Sequence, residues 1–204
     1  MARRPLVKRM TAVHLLLLTI GLFFGSWLYC FVRYPVTLAY APLSAGIVSI
    51  GNTFGLGGPL TYWVYSSVPM TSGPLSVSVV LRMVLVLVVF IQVWFYVTHR
   101  ILHLPLVFRQ IHYLHHTYRD TNAYCAQFAH PLEFVVGNLA GVILVPCFYT
   151  IHRTVFIGWV LFCLHQSILS HGLVKTYHSV HHHRAHVHFG ISGYLDTVFG
   201  THSE

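Results

Sequence analysis

Apolar residues run along this chain in blocks long enough to cross a membrane, separated by shorter stretches that hold most of its histidine and arginine. The first block, Met10 to Val32, follows Arg3, Arg4, Lys8 and Arg9. It is longer than a signal-peptide core and no small-x-small cleavage site stands out after it, so it is expected to be an uncleaved anchor. Leu75 to Thr98 is a second span, with Arg82 as its only charge, placed to snorkel or pair internally. Leu132 to Ile151 and Val155 to Ser170 form a third and a fourth. Only His152-Arg153-Thr154 divides them, which predicts a helical hairpin. Between the first two spans, Leu43 to Pro74 is apolar on average but punctuated by Gly46, Gly51, Gly55, Gly57, Gly58, Pro59, Pro69, Gly73 and Pro74. Breakers at that density predict a re-entrant or interfacial segment, for which Tyr62, Trp63 and Tyr65 suit an aromatic belt.

Composition agrees with a membrane protein: 55% of the 204 residues are hydrophobic and 8% charged. The net charge of +8 comes from twelve Lys and Arg scattered between apolar runs, which excludes the massed basic stripe of a nucleic-acid binder. With four crossings, the N-terminus, the His99 to Glu133 segment and the tail after His171 share one side. That side holds Arg3, Arg4, Lys8, Arg9, Arg100, Arg109, Arg119, Lys175 and Arg184, against Arg33 and Arg153 opposite, and is therefore expected to be cytosolic. Cys30, Cys125, Cys147 and Cys163 stand apart without a C-x-x-C pair and read as small core hydrophobes. The expected organisation is residues 1–32 as anchor, 33–74 as the glycine- and proline-rich segment and 75–204 as the catalytic unit. The fold expected is an all-α integral membrane protein of about four transmembrane helices, whose cytosolic-side helical cap carries a histidine-rich dinuclear metal site.

The chemistry lies in seventeen histidines set against four acidic residues. His99 and His103 are four apart at the end of a span, so their rings leave one helix face. His112, His115 and His116 repeat spacings of three and four, as do His178, His181 and His182. Imidazole is a common ligand for transition metals, and eight or more could hold two divalent ions. A carboxylate-built centre is excluded, because only Asp120, Glu133, Asp196 and Glu204 are available. Ligand type leaves iron and zinc both open at this point. His171 is placed to complete the site. His165, six residues earlier and about 120° round a regular helix, shares its face only through a kink. His130, before Pro131, suits a supporting role, and His183, His186 and His188 are extras nearby. His14, His152 and His202 read as non-functional.

With H-x3-H at His99/His103, H-x2-HH at His112/His115/His116 and a late H-x2-HH at His178/His181/His182, the chain resembles the fatty acid hydroxylase/sterol desaturase superfamily of membrane di-iron enzymes. AHPLE at Ala129 to Glu133, SHG at Ser170 to Gly172 and LDTVFGT at Leu195 to Thr201 extend the likeness from Tyr96 to Thr201. Where relatives usually carry asparagine, this chain has His188, and His186 replaces a residue that is often asparagine. The resemblance implies two iron ions and oxidation of a lipid C–H bond with dioxygen. Electrons would come from cytochrome b5 or a similar donor fed by NAD(P)H, in the endoplasmic reticulum or a bacterial inner membrane. The ligands it implies are His99, His103, His112, His115, His116, His178, His181 and His182, with His171 and, less directly, His165, His130 and His186. It leaves hydroxylation and desaturation open, and sterol-like and fatty-acyl substrates open. Two other readings are a histidine-rich metal-binding or transport protein and a catalytically inactive member of the family.

Overall fold

The computed structural model describes residues 43–172 and 176–203, with His14, Leu17, Ile20, Gly21, Gly25 and Leu28 besides. The expected anchor at Met10 to Val32 lies outside the described residues but for those six, and so does Lys175. Among the described residues every regular element is helical, and Thr71 and His152 form an isolated β-bridge.

Helix α1 (Leu43–Ile50) passes into a π-helical stretch, Gly51–Gly57, and on into α2 (Gly58–Ser67). Gly46, Gly51, Gly55, Gly57 and Gly58, expected to break this segment, are instead wound into it. At two of them the role is close approach: a Cβ on Gly46 would lie 3.0 Å from Tyr124 Cδ1, and one on Gly57 would lie 3.2 Å from Phe134 Cζ. At one end Asn52 Nδ2 donates to the carbonyls of Gln127 and Ala129, at 2.8 and 2.9 Å. At the other, the Arg153 guanidinium lies 4.9 Å over the Tyr65 ring. Residues 43–67 are therefore a continuous helical run between these two contacts.

Helix α3 (Val77–Leu102) is capped by Ser76, whose Oγ accepts from Val79 N, and is strongly apolar. Leu81, Leu85, Val89, Val93 and Val97, each four residues on, stay exposed along one face. Met83, Leu87, Tyr96 and His99 are buried on the other, the pattern of a helix with lipid on one side and protein on the other. A short α4 (Pro105–Gln110) and two 3-10 turns, His112–Thr117 and Ala123–Gln127, follow at its C-terminal end.

The expected third span is a broken helix: α5 (Pro131–Glu133), a π-helical Phe134–Leu139, α6 (Ala140–Ile143) and a 3-10 turn, Val145–Cys147. Its regular part is shorter than a straight span. Pro146 brings no N–H to the ladder, and the remaining distance is covered by extended chain whose Ile151 carbonyl accepts from Thr71 N at 3.1 Å. Helix α7 (Arg153–Gly172) then returns to the histidine end, as the hairpin requires, and is followed by α8 (Tyr177–His183) and α9 (Tyr194–Val198). Helices α3 and α7 are both long and apolar enough to cross a membrane.

Val64, Leu87, Phe134, Val145, Ile151, Phe156 and Trp159 form the core where these segments meet. Side chains gain little by leaving lipid for such a core, so close packing and satisfied backbone hydrogen bonds hold the bundle together.

Candidate metal centre

Nine histidine rings converge at the C-terminal end of α3. They form two groups, His99, His103, His112, His116 and His181 in one, and His115, His171, His178 and His182 in the other. Within each group the ligand nitrogens lie within 4.8 Å of one another. The groups do not follow the clusters in the sequence. His112 and His116 go one way and His115 the other; His178 and His182 go one way and His181 the other. In α8 the reason is rotational: residues four apart are about 40° apart around a helix, whereas residues three apart diverge by about 60° the opposite way. Each of those clusters thus straddles both groups.

Hydrogen bonds fix the ring tautomers. His99 Nδ1 donates to Phe189 O at 2.8 Å, His115 Nδ1 to Phe128 O at 3.0 Å and His171 Nδ1 to Ser167 O at 2.8 Å. His181 Nδ1 donates to Val187 O at 2.6 Å, His182 Nδ1 to Tyr118 O at 3.2 Å, and His112 Nδ1 to the Glu133 carboxylate at 2.8 Å. Each of these six rings is left with a lone pair on Nε2. Yet His115 Nε2 and His171 Nε2 lie 3.4 Å apart, lone pair toward lone pair. Other Nε2 pairs, His103 with His112 and with His181, and His171 with His178, are 3.0 Å apart. Nitrogens bound about 2.1 Å from one cation stand about 3.0–3.4 Å from each other, so the spacing fits a shared ion. Burial, and then the neighbouring rings, keep these imidazoles uncharged. His103 is held down to about 2 by burial first and by His112 and His181 next, while burial takes His112 and His181 to about 3. His116, His178 and His182 are lowered by the same causes. A cation arriving there meets neutral donors.

The backbone after α8 is shaped to aim two of these carbonyls. His188 sits at φ 56°, in the left-handed region, between Val187 and Phe189, whose carbonyls hold His181 and His99. The buried Asp196 carboxylate pins the turn, accepting from Phe189 N at 2.7 Å, Gly190 N at 2.8 Å and Thr201 Oγ1 at 2.7 Å. A Cβ at Gly190 would meet Asp196 Oδ2 at 2.7 Å, which accounts for the glycine.

A cavity of about 1610 Å³ leads away from His99, His112, His115, His171 and His178 between α3 and α7. It is larger than the roughly 300–1,000 Å³ of most small-ligand pockets. Both π-helical stretches form its walls, through Thr53 and Gly57 on one side and Phe134 and Gly137 on the other.

Residues 84–201 match the family model described as fatty acid hydroxylase. The chain belongs to the fatty acid hydroxylase family. This family member is 30% identical over 117 residues to fatty acid hydroxylase domain-containing protein 2 of Homo sapiens, covering 54% of this chain and 35% of that protein. It is 35% identical over 83 residues to a C-4 methylsterol oxidase of Schizosaccharomyces pombe, covering 38% of this chain and 27% of that one. With methylsterol monooxygenase 1 of Gallus gallus it shares 28% over 130 residues, 54% of this chain and 43% of that protein. It thus spans less than half the length of these curated relatives. No solved structure matches it.

The hydroxylase-family match encloses all nine converging histidines. The other residues predicted for the site are in neither group. His165 is half-buried on α7 and in neither group, and His186 is exposed. His130 Nδ1 accepts from Leu132 N at 3.2 Å, capping α5. His183 is exposed, 3.4 Å from Asp120. His152 joins the far turn to Gly73 O at 3.2 Å. Sequence reasoning gave no role to Glu133 or Asp196, although AHPLE and LDTVFGT marked their surroundings. Buried carboxylates in a chain so poor in acids were the available signal.

Proposed function

We propose that this chain oxidises a C–H bond of a membrane lipid with dioxygen. His99, His103, His112, His116 and His181 would hold one iron ion, and His115, His171, His178 and His182 a second. The observation that carries this reading is the set of Nε2 lone pairs, His115 against His171 above all, turned on each other at the end of a lipid-sized cavity. Iron suits the site because inert C–H bonds call for redox chemistry, which zinc does not supply. Bound there, iron would supply activation of dioxygen. The chain supplies the rest. Carbonyls and Glu133 fix which nitrogen of six of the rings is the donor atom, and Asp196 holds the turn that presents two of those carbonyls. The apolar cavity wall keeps water away from the reacting carbon.

Hydroxylation consumes dioxygen, two electrons and two protons and yields an alcohol and one water; desaturation yields an alkene and two waters. The electrons come from a separate donor such as cytochrome b5, drawing on NAD(P)H. Arg100, Arg109, Arg119 and Arg184 stand among the histidine clusters in the sequence, which suits an acidic donor and supports a cytosolic side for that end, the helical cap. Helix α3, the broken helix 131–147 and α7 would cross the membrane, with Met10 to Val32 as the expected fourth crossing, in the endoplasmic reticulum or a bacterial inner membrane. Relatives named for methylsterol oxidation and for fatty acid hydroxylation support a sterol-like or fatty-acyl substrate.

The test is metal analysis of the purified chain in lipid nanodiscs, with comparison of lipid profiles in cells with and without the gene. Two irons per chain are expected. A His115→Ala, His182→Ala double variant should lose one of the two irons, and lipid oxidation with it, while keeping its helical spectrum. A folded wild type that binds no iron, or a double variant with full activity, overturns the reading.

A further inference from the structure

Four large apolar side chains on and beside α9 stand in the open. Tyr194 is 80% exposed, Val198 72%, Phe199 62% and Ile191 43%. From Phe189 to Thr201 the only charged side chain is Asp196, which is turned inward and fully buried. An uncharged apolar surface of this kind marks contact with lipid or protein.

Contacts with α3 fix the depth of the segment. Ser192 Oγ donates to Gln92 Oε1 at 3.0 Å, the Phe199 and Tyr96 rings stack with centroids 5.3 Å apart, and the Tyr96 and Thr201 hydroxyls are hydrogen-bonded at 3.1 Å. Arg100, exposed near the end of α3, marks the headgroup level, because a guanidinium stays with water or phosphate. Its cation lies 4.9 Å over the Phe189 ring. Tyr96 is about 6 Å below Arg100 along the helix axis, and Gln92 about 12 Å. From Phe189 the chain therefore turns back along α3 toward the hydrocarbon, to about the 5–10 Å depth of a segment lying in a membrane surface.

Position around α3 says what the segment adjoins. At this level Val89, Val93 and Val97 form the lipid-facing side. Tyr96 and Gln92 lie about 60° and 100° from Val93 around the helix. In the same sense, Val88 and Phe95, which line the cavity, lie about 140° and 160° from it. Residues 191–199 thus pack on the seam between the lipid face and the cavity, and Ile191 itself lines the cavity. Their backbone is tied internally, as a setting poor in water requires. Thr197 N and Phe199 N donate to Gly193 O and Leu195 O at 2.9 Å, and Thr201 N to Asp196 O at 2.7 Å.

We propose that residues 191–199 are immersed in the lipid leaflet on the histidine side, with Tyr194, Val198 and Phe199 against lipid and Ile191 at the edge where leaflet lipid meets the cavity. The occupant of this surface is the bilayer, because the patch continues the lipid face of α3 without an intervening charge. The proposal rests on α3 crossing the membrane, which a label at Val93 tests separately.

The full chain in lipid nanodiscs is labelled with an environment-sensitive fluorophore at one added cysteine: Ile191→Cys, Tyr194→Cys, Val198→Cys, Val93→Cys on α3, or Asp120→Cys on the cap. The signal of the chain without the added cysteine is subtracted. Each substituted side chain is exposed, so the packed faces of α3 and α9 are left alone. A phosphatidylcholine carrying a nitroxide near the headgroup end of its acyl chain quenches labels in the leaflet, and iodide quenches labels in water. Labels at Ile191, Tyr194 and Val198 should be quenched by the nitroxide lipid at least about threefold more than the Asp120 label, and by iodide at least about threefold less. A Val93 label quenched by lipid while those at Tyr194 and Val198 answer to iodide overturns the proposal and leaves the crossing of α3 intact. So does shielding of Tyr194 and Val198 from both quenchers, which would place protein over the patch, either residues 1–42 or a second copy of the chain. A Val93 label open to iodide overturns the crossing itself, and this proposal with it.

Discussion

Glu133 is one of four acidic residues in the chain and is 2% exposed, yet one carboxylate oxygen receives the Nδ1 proton of His112. A partner of this kind fixes ring orientation and raises the basicity of the opposite nitrogen. Glu133→Ala should weaken metal binding about 10- to 100-fold in a competitive chelator titration, with Glu133→Gln in between because its amide oxygen still accepts. Equal affinity in all three proteins would show that the carboxylate does not position the ring. The imidazoles themselves predict a pH dependence. Burial holds His112 and His181 at about 3, against 6.5 for an ordinary histidine. Between those values the unfolded chain binds protons that the folded chain refuses. Stability of the metal-free protein is therefore fully present above about pH 6.5 and lost as pH falls, by about 1.4 kcal/mol per unit for each such ring. Melts of metal-free protein at pH 7.5 and 5.5 should show a lower midpoint in acid, and identical midpoints would contradict the burial. At this scale the histidines that converge were legible, because His99/His103 and their counterparts carry spacing in the sequence. The groups that aim them were not: Phe128, Ser167, Val187 and Phe189 act through backbone carbonyls, which any residue possesses.

Glycine illustrates what is lost in passing from residue to element. In Leu43 to Pro74 the glycines read as breaks, because propensity describes an isolated helix, whereas Gly46 and Gly57 are there to admit Tyr124 and Phe134. Gly141 does the same for α3: a Cβ there would come 2.8 Å from Trp94 Cδ1. The adjoining contact, Trp94 Nε1 to Val136 O at 2.8 Å, fixes the indole. Gly141→Ala must push the broken helix off α3 and should cost about 1–3 kcal/mol. For a chain of this size each kcal/mol lowers the melting midpoint by about 2–4 °C. Gly158, exposed within α7, has nothing within 4 Å of its would-be Cβ, so Gly158→Ala should leave the midpoint unchanged or raise it slightly. The same substitution thus has opposite expected signs in two helices. If both variants melt together, the close approach of α6 and α3 is not what Gly141 provides. The apolar blocks did locate α3 and α7 within a few residues. The third block misled, since hydropathy does not register that Pro146 and a π-helical stretch divide it.

For the whole molecule, the nine histidines are supplied by α3, the His112–Thr117 turn, α7 and α8, elements that meet only when the bundle is closed. The hairpin topology that brings His171 and His178 back to His115 followed from the order of apolar blocks, so this convergence was legible. The sorting into five and four was not, because it depends on how a 3-10 turn and a short helix rotate their rings. That sorting makes any bound ion a cross-link between distant parts of the chain: His103 to His181 in one group, His115 to His171 in the other. An ion that binds the folded state and not the unfolded one stabilises it by about 4 kcal/mol when present at a thousand times its dissociation constant. Removing metal from the loaded protein with a chelator should therefore lower the melting midpoint by roughly 10 °C. His115→Ala and His103→Ala each disable one group, so each should retain part of the shift, and the double variant should retain none. A chelator shift that is as large in the double variant as in wild type would place the stabilising ion elsewhere. No shift in wild type after verified metal removal would mean that the histidine end is fully organised by its carbonyl and carboxylate partners alone.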